Sequence, residues 1–141
     1  MTRAGDWGPD FRMLVEEGKV GEFWAALGGA PATTAAPATF PMAQKFWSPP
    51  MDWAAHGVKL DMRRVLHGEQ EFVYPNGPMR IGQALTGRHR IADDYTKQGR
   101  QGGTMRFIVR ETEFRDADSG EVVCIARTTT IQTSEALGGP S

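Results

Sequence analysis

The sequence predicts an α+β domain, an antiparallel sheet of about five strands wrapped around a central apolar helix. Three observations carry this expectation. Apolar residues recur at helical spacing as far as Trp47, they run as strands from Leu66 onward, and the runs are joined by short links rich in turn formers. The chain has 141 residues, the size of one domain with one core.

The first element is a short apolar run, Phe11 to Val15, that reads as a strand. Val20, Phe23, Trp24 and Leu27 then lie at helical spacing within Lys19–Leu27, and Gly28-Gly29 stops that helix. The stretch up to Thr39 is interrupted by prolines and built of small side chains, so it reads as a loop. Phe40–Trp47 suits a second, buried helix with Pro41 in its first turn and Phe40, Ala43, Phe46 and Trp47 on one side. Ser48-Pro49-Pro50 ends it, and the segment to Arg64 is of mixed character, a loop with a helical turn.

Four strands follow, Leu66–Tyr74, Ala84–Asp94, Thr104–Arg115 and Glu121–Thr133. Their links are Asn76-Gly77 within PNGP, the basic glycine-rich Lys97–Gly103, and Asp116–Gly120, all suited to turns. Links this short imply antiparallel neighbours throughout, including the strands on either side of Asn76-Gly77. A long antiparallel sheet curled around an apolar helix is the hot-dog arrangement. The domain is expected over residues 11–133, with flexible ends at 1–10 and 134–141.

Composition narrows the function. A formal charge of −1, with 40% apolar and 23% charged residues, gives no basic field for nucleic acid or anionic lipid. No apolar run is long enough to span a bilayer, and the first residues lack the core of a signal peptide, so a cytoplasmic protein is expected. Cys124 is the single cysteine, set in the apolar run VVCIA, and reads as an inert core thiol. His56 and His89 have no partner at metal-ligand spacing, so no metal is expected, and Arg88-His89-Arg90 reads as a solvated strand face. Asp93-Asp94 point to opposite faces and read as the end of a strand.

Four motifs occur in order: Thr39-Phe40-Pro41, His67-Gly68-Glu69-Gln70, Met79-Arg80-Ile81-Gly82 followed by Leu85-Thr86-Gly87, and Glu113-Phe114-Arg115-Asp116. Together they resemble the N-terminal-type domain of the MaoC-like dehydratases and hydratases, from about Phe11 to Thr133. The resemblance implies a hot-dog fold that pairs into dimers and adds or removes water across the α,β bond of acyl-CoA or acyl-carrier-protein thioesters. Such chemistry needs a base, an acid and donors aimed at the thioester oxygen. Active members of the family carry these in a Gly-Asp-x-Asn-Pro-x-His pattern after the first helix. Here the matching place is Gly28-Gly29-Ala30-Pro31-Ala32-Thr33-Thr34, without an ionisable side chain.

That departure implies a non-catalytic or substrate-binding half whose MaoC-like partner supplies the Asp and His, with no cofactor of its own. Two other readings stand beside it: a homodimer that binds acyl thioesters or another apolar ligand without turnover, and a stand-alone hydratase or thioesterase using His67 and Glu69. Two apart on a strand, His67 and Glu69 would share a face, where they could act as acid and base, hold substrate, or serve a structural hydrogen bond. Met42, Phe46 and Trp47 are the residues expected to line an acyl pocket, with His67 beside them. Lys97 and Arg100 in the glycine-rich loop, with Arg80 and Arg90, are candidates for phosphate contact.

Overall fold

The computed structural model describes residues 5–29, 34–50, 53–54, 57–100 and 102–134. Strand β1 (Phe11–Leu14) leads into helix α1 (Glu17–Ala26). Four strands follow: β2 (Val65–Val73), β3 (Ala84–Gln98), β4 (Thr104–Asp116) and β5 (Val122–Gln132). All pair antiparallel in one five-stranded sheet, as the sequence predicts, in the order β1-β3-β4-β5-β2. No helix among the described residues is long and apolar enough to cross a membrane.

Local chemistry sets the helical layer. The Glu16 carboxylate accepts hydrogen bonds from the Gly18 and Lys19 amides, both at 2.8 Å, and so caps α1. Gly28 closes the helix at a φ of 75°, a conformation that favours glycine. The expected second helix is a seven-residue 3-10 helix, Phe40–Phe46, rather than a buried α-helix. Its three-residue repeat stacks Phe40 with Ala43 and Pro41 with Gln44, all buried, whereas Phe46, the last residue of the helix, is 62% exposed. A second 3-10 turn, Met62–Arg64, precedes β2.

Two expectations about the strands need correction. β2 and β3 are not neighbours: β2 lies at the edge beside β5, whereas β3 lies between β1 and β4. The link over residues 74–83 can reach about 30 Å, and three strand spacings of about 4.8 Å are all it must cross. It is held on the way, because the Ala36 amide bonds to the Met79 carbonyl and the Ile81 amide to the Thr34 carbonyl, each at 2.8 Å. Asp93-Asp94 does not end β3, which runs on to Gln98; an extra residue between Ile91 and Asp93 bulges the strand, and Asp94 pairs with Arg106 at 2.6 Å.

The N-terminal segment expected to be flexible is tied to the sheet from Gly5 onward. The Gly5 and Gly8 amides bond to the carbonyls of Ile91 and His89, and the Trp7 ring lies over Arg88 and Arg90 at 4.3 and 4.5 Å. Of the expected tail over 134–141, residues 135–141 lie outside the described residues.

The sheet has an apolar and a charged face. The inner face carries two apolar clusters. The larger joins Phe11, Met13, Leu85, Phe114, Cys124 and Ala126 to Val20 of α1 and to Phe40 and Ala43; the smaller joins Ile91 and Ile108 to Val58. The outer face carries a row of charge in which Glu111 takes Arg90 at 2.7 Å and Arg127 at 2.8 Å, and Arg127 also reaches Glu71 at 3.2 Å.

Gly87 shows how closely β1 approaches β3. A Cβ there would lie 2.3 Å from the Phe11 ring, which is itself stacked on His89 and set edge-on to Phe114. Gly87→Ala is therefore expected to cost about 1–3 kcal/mol. Thermal unfolding should show a lowered Tm that Phe11→Leu in the same chain partly restores; an unchanged Tm for the single variant would mean that the ring yields freely.

Candidate functional site

The bulge at Gly68 in β2 decides where the motif His67-Gly68-Glu69-Gln70 points. β2 pairs with β5 as His67 with Thr130, Glu69 with Thr129 and Gln70 with Thr128, so Gly68 is the extra residue. Paired residues share a face, and successive residues of β5 alternate. His67 therefore faces inward with Thr130, while Glu69 faces outward with Thr129, and the expected shared face is lost. Both side chains are exposed. A Cβ on Gly68 would meet the Ile131 side chain at 2.7 Å, so the bulge is packed as well as permitted.

The acyl-lining candidates divide in the same way. Met42 and Phe46 stand on an open apolar groove of about 470 Å³ between α1 and the 3-10 helix, with Phe23, Leu27, Lys19 and Lys45. The two lysine ammonium groups lie 4.8 and 5.4 Å from the centre of the Phe46 ring. Trp47 is turned to the main core, with its ring edge-on to Phe46 at 6.3 Å. His67 belongs to neither place.

The phosphate candidates are not gathered. Arg80 lies before β3 on a shallow polar cavity with Asn76, Gln83 and Asp116. Lys97 ends β3, where its ammonium lies 5.5 Å from the ring centres of Tyr95 and Phe107, and Arg100 stands in the turn beyond. At about 3.3 Å per residue the length of β3 puts roughly 40 Å between Arg80 and Lys97, too far for one diphosphate. Arg90 is held by Glu111 and covered by Trp7. His56 lies outside the described residues, as do 30–33 of the loop Gly28–Thr34; the described positions Gly28, Gly29 and Thr34 have no ionisable side chain.

The arrangement that the sequence reading missed is a polar belt across the inner face, between the two apolar clusters. His89 faces Thr112 at a distance of 2.7 Å from its Nδ1 to the hydroxyl, and one row further Arg110 faces Thr128, which faces Gln70. Thr128 Oγ1 donates to Gln70 Oε1 at 2.7 Å. Nε of Arg110 and Nε2 of Gln70 are buried without a hydrogen-bond partner, as is Oε1 of Gln44 in the helical layer. The signal for the belt was the phase of β4 between Ile108 and Phe114, where no residue is inserted. Arg110 and Thr112 lie in phase with Ile108 and Phe114, which are fully buried.

Burial dominates the titration of this belt. It lowers the Arg110 pKa from the usual guanidinium range, and burial followed by the charge of Arg110 pushes His89 down to about 4. His89 is thus a neutral, half-buried side chain of the inner face, not part of a solvated face. Cys124 is buried as expected, and burial pushes its thiol up to about 11.

Comparison with known proteins places the fold in a class. Solved structures with the same fold include the HadBC (3R-hydroxyacyl-ACP dehydratase) complex from Mycobacterium tuberculosis, at 20% identity and a TM-score of 0.62 over 88% of this chain and 95% of that one. The ChsH1-ChsH2 complex from the same organism aligns at 16% identity and a TM-score of 0.65 over 96% and 88% of the two chains. A MaoC-like dehydratase from Rhodospirillum rubrum aligns at 17% identity and a TM-score of 0.55 over 95% and 94%. The fold is the hot-dog fold, and the resemblance to MaoC-like dehydratases holds at the level of structure. Residues 30–126 match the family model of the FAS1-like dehydratase domain region, and the chain belongs to that family. No curated protein matches it.

The His89 environment gives a test. An unfolded histidine titrates near 6.5. Between about 6.5 and about 4 the unfolded chain binds a proton that the folded chain refuses, so the stability present above 6.5 is lost as pH falls through that window. Thermal unfolding from pH 7 to pH 5 should show a falling Tm, before ordinary carboxylates titrate. His89→Gln keeps a group able to bond Thr112 and is expected to flatten the slope; an unchanged slope would assign it elsewhere.

Proposed function

We propose that this chain is the substrate-binding, non-catalytic subunit of a heteromeric MaoC-like enoyl-thioester hydratase or 3-hydroxyacyl-thioester dehydratase. The observation that carries the reading is the loop after α1, Gly28 to Thr34, which has glycine, alanine, proline and threonine where an acid and a base are needed. Nothing in the described structure replaces them: His67 and Glu69 face opposite sides of the sheet, and His89 is half-buried and neutral. The partner's Asp would then activate or remove water, and its His would assist.

Two features support assembly with such a partner. The outer edge of β2 has no neighbouring strand among the described residues, and β2 exposes Leu66 and Val73 at 44% and 42%, so a second hot-dog subunit could extend the sheet there. Two of the similar structures are themselves complexes of two named subunits. The groove of Met42 and Phe46 is the part of the acyl pocket that this chain would contribute, with Lys19 and Lys45 at its rim. The ligand is an acyl-CoA or acyl-carrier-protein thioester, handled in the cytoplasm, and the reaction calls for no metal or redox cofactor.

Hydration of crotonyl-CoA and longer enoyl-CoA substrates is the direct test, with the purified chain alone and then with a MaoC-like partner bearing the Asp and His. Turnover is expected only in the mixture. Turnover by the chain alone, abolished by His67→Ala, would establish the stand-alone enzyme instead.

A further inference from the structure

Six arginines lie on β3, β4 and β5, and five of them hold carboxylates. Arg88 and Arg115 share Glu113, Arg90 and Arg127 share Glu111, and Arg106 takes Asp94. Arg110 has no ion pair among the described residues, although its Nε is buried. A buried cation without a counter-charge costs several kcal/mol, so a fold that keeps one has a use for its charge.

The surroundings of Arg110 state what would satisfy it. Thr128 stands between Arg110 and Gln70 in one row across β4, β5 and β2, and its hydroxyl proton is committed to Gln70 Oε1. That bond turns the Gln70 amide so that Nε2 is left unpartnered, as is Nε of Arg110. Both orphaned groups are donors in one row, on either side of Thr128, and an acceptor is what would satisfy each of them. Of the other titratable side chains on this face, His89 is neutral, Asp94 is taken by Arg106, and His67 is exposed one row away with Thr130, so Arg110 is the cation of this row that has no counter-charge. A carboxylate matches that charge and the planar fork of a guanidinium. The belt runs between two apolar clusters, which suits a ligand with an apolar body and a charged end.

We propose that Arg110, with the Gln70 amide beside it, forms an anion site on the inner face that receives the terminal carboxylate of an acyl ligand. The thioester part of this assignment rests on the function proposed above; the carboxylate part does not. The ligands of this subunit would then include dicarboxylic acyl chains joined to their carrier at one end.

The test compares matched pairs on the purified full chain by calorimetric titration: succinyl-CoA with butyryl-CoA, glutaryl-CoA with valeryl-CoA, and adipyl-CoA with hexanoyl-CoA. Members of a pair differ in the terminal carboxylate alone, and a hydrogen bond to a charged group is worth roughly 10- to 100-fold in affinity. At least one carboxylate-bearing member is expected to bind tenfold or more tightly than its neutral match. Arg110→Met should abolish that preference, leave the neutral thioester bound as before, and keep or raise the Tm, because it removes an uncompensated charge.

Equal affinity within every pair would overturn the proposal, and so would a marked fall in the Tm of Arg110→Met, which would give Arg110 a structural partner. Failure of every thioester to bind would count against the subunit reading, and free dicarboxylates then decide the site. A thermal shift with succinate, glutarate or adipate but not with their diamides, lost in Arg110→Met, would sustain it; no shift in the wild type would end it.

Discussion

Glu111 stands near the middle of the outer face with its carboxylate between Arg90 on one neighbouring strand and Arg127 on the other, and this three-way contact fixes how β3, β4 and β5 line up. A slip of one residue would turn the carboxylate into the apolar interior and leave both guanidinium groups without their shared partner. The Trp7 ring over Arg88 and Arg90 and the pair of Arg88 with Glu113 brace the same three strands. With the register held from outside, the inner face can tolerate groups that a less constrained sheet would expel.

The inner face uses that tolerance. Its core is divided, and the division is polar: Thr112 and His89 form one row, Gln70, Thr128 and Arg110 the next, with aliphatic packing on either side. A continuous apolar core would pack better and would leave no place for a polar ligand group. The groove of Met42 and Phe46 is the complement to this belt, an apolar surface left open where the rest of the helical layer is closed.

Much of the fold was legible in the sequence because its strands alternate and its turns carry the residues that turns require. Asp116 shows this well, since its side chain accepts the Asp118 and Ser119 amides within the expected link. What the sequence did not disclose were single-residue irregularities. Gly68 inserts one residue into β2 and sends Glu69 to the other face; the residue between Ile91 and Asp93 carries β3 past two aspartates; and the β2–β3 link looks like a hairpin turn while crossing the sheet. Period-two reasoning has no means to sense an added residue or to tell a short link from a crossing one. The missing acid and base after α1 needed no structure at all, because glycine, alanine, proline and threonine cannot titrate there. Arg110 was hidden by its neighbours, since the run from Phe107 to Val109 is apolar on both faces.

The strand order also sets an order of assembly. β3, β4 and β5 are consecutive in sequence and joined by short turns, so they form a meander that closes small loops. The two edges do not: Phe11 of β1 must find Gly87, and Val65 of β2 must find Gln132. Closing a longer loop costs more entropy before any contact rewards it, and such pairings set the pace of folding. The meander is thus the natural nucleus and both edges are late arrivals, with amide exchange expected to protect them last. Both edges are made before the meander, so β1 waits as an unpaired strand until Ala84–Gly87 of β3 is made, and β2 waits until β5, the last strand, is made.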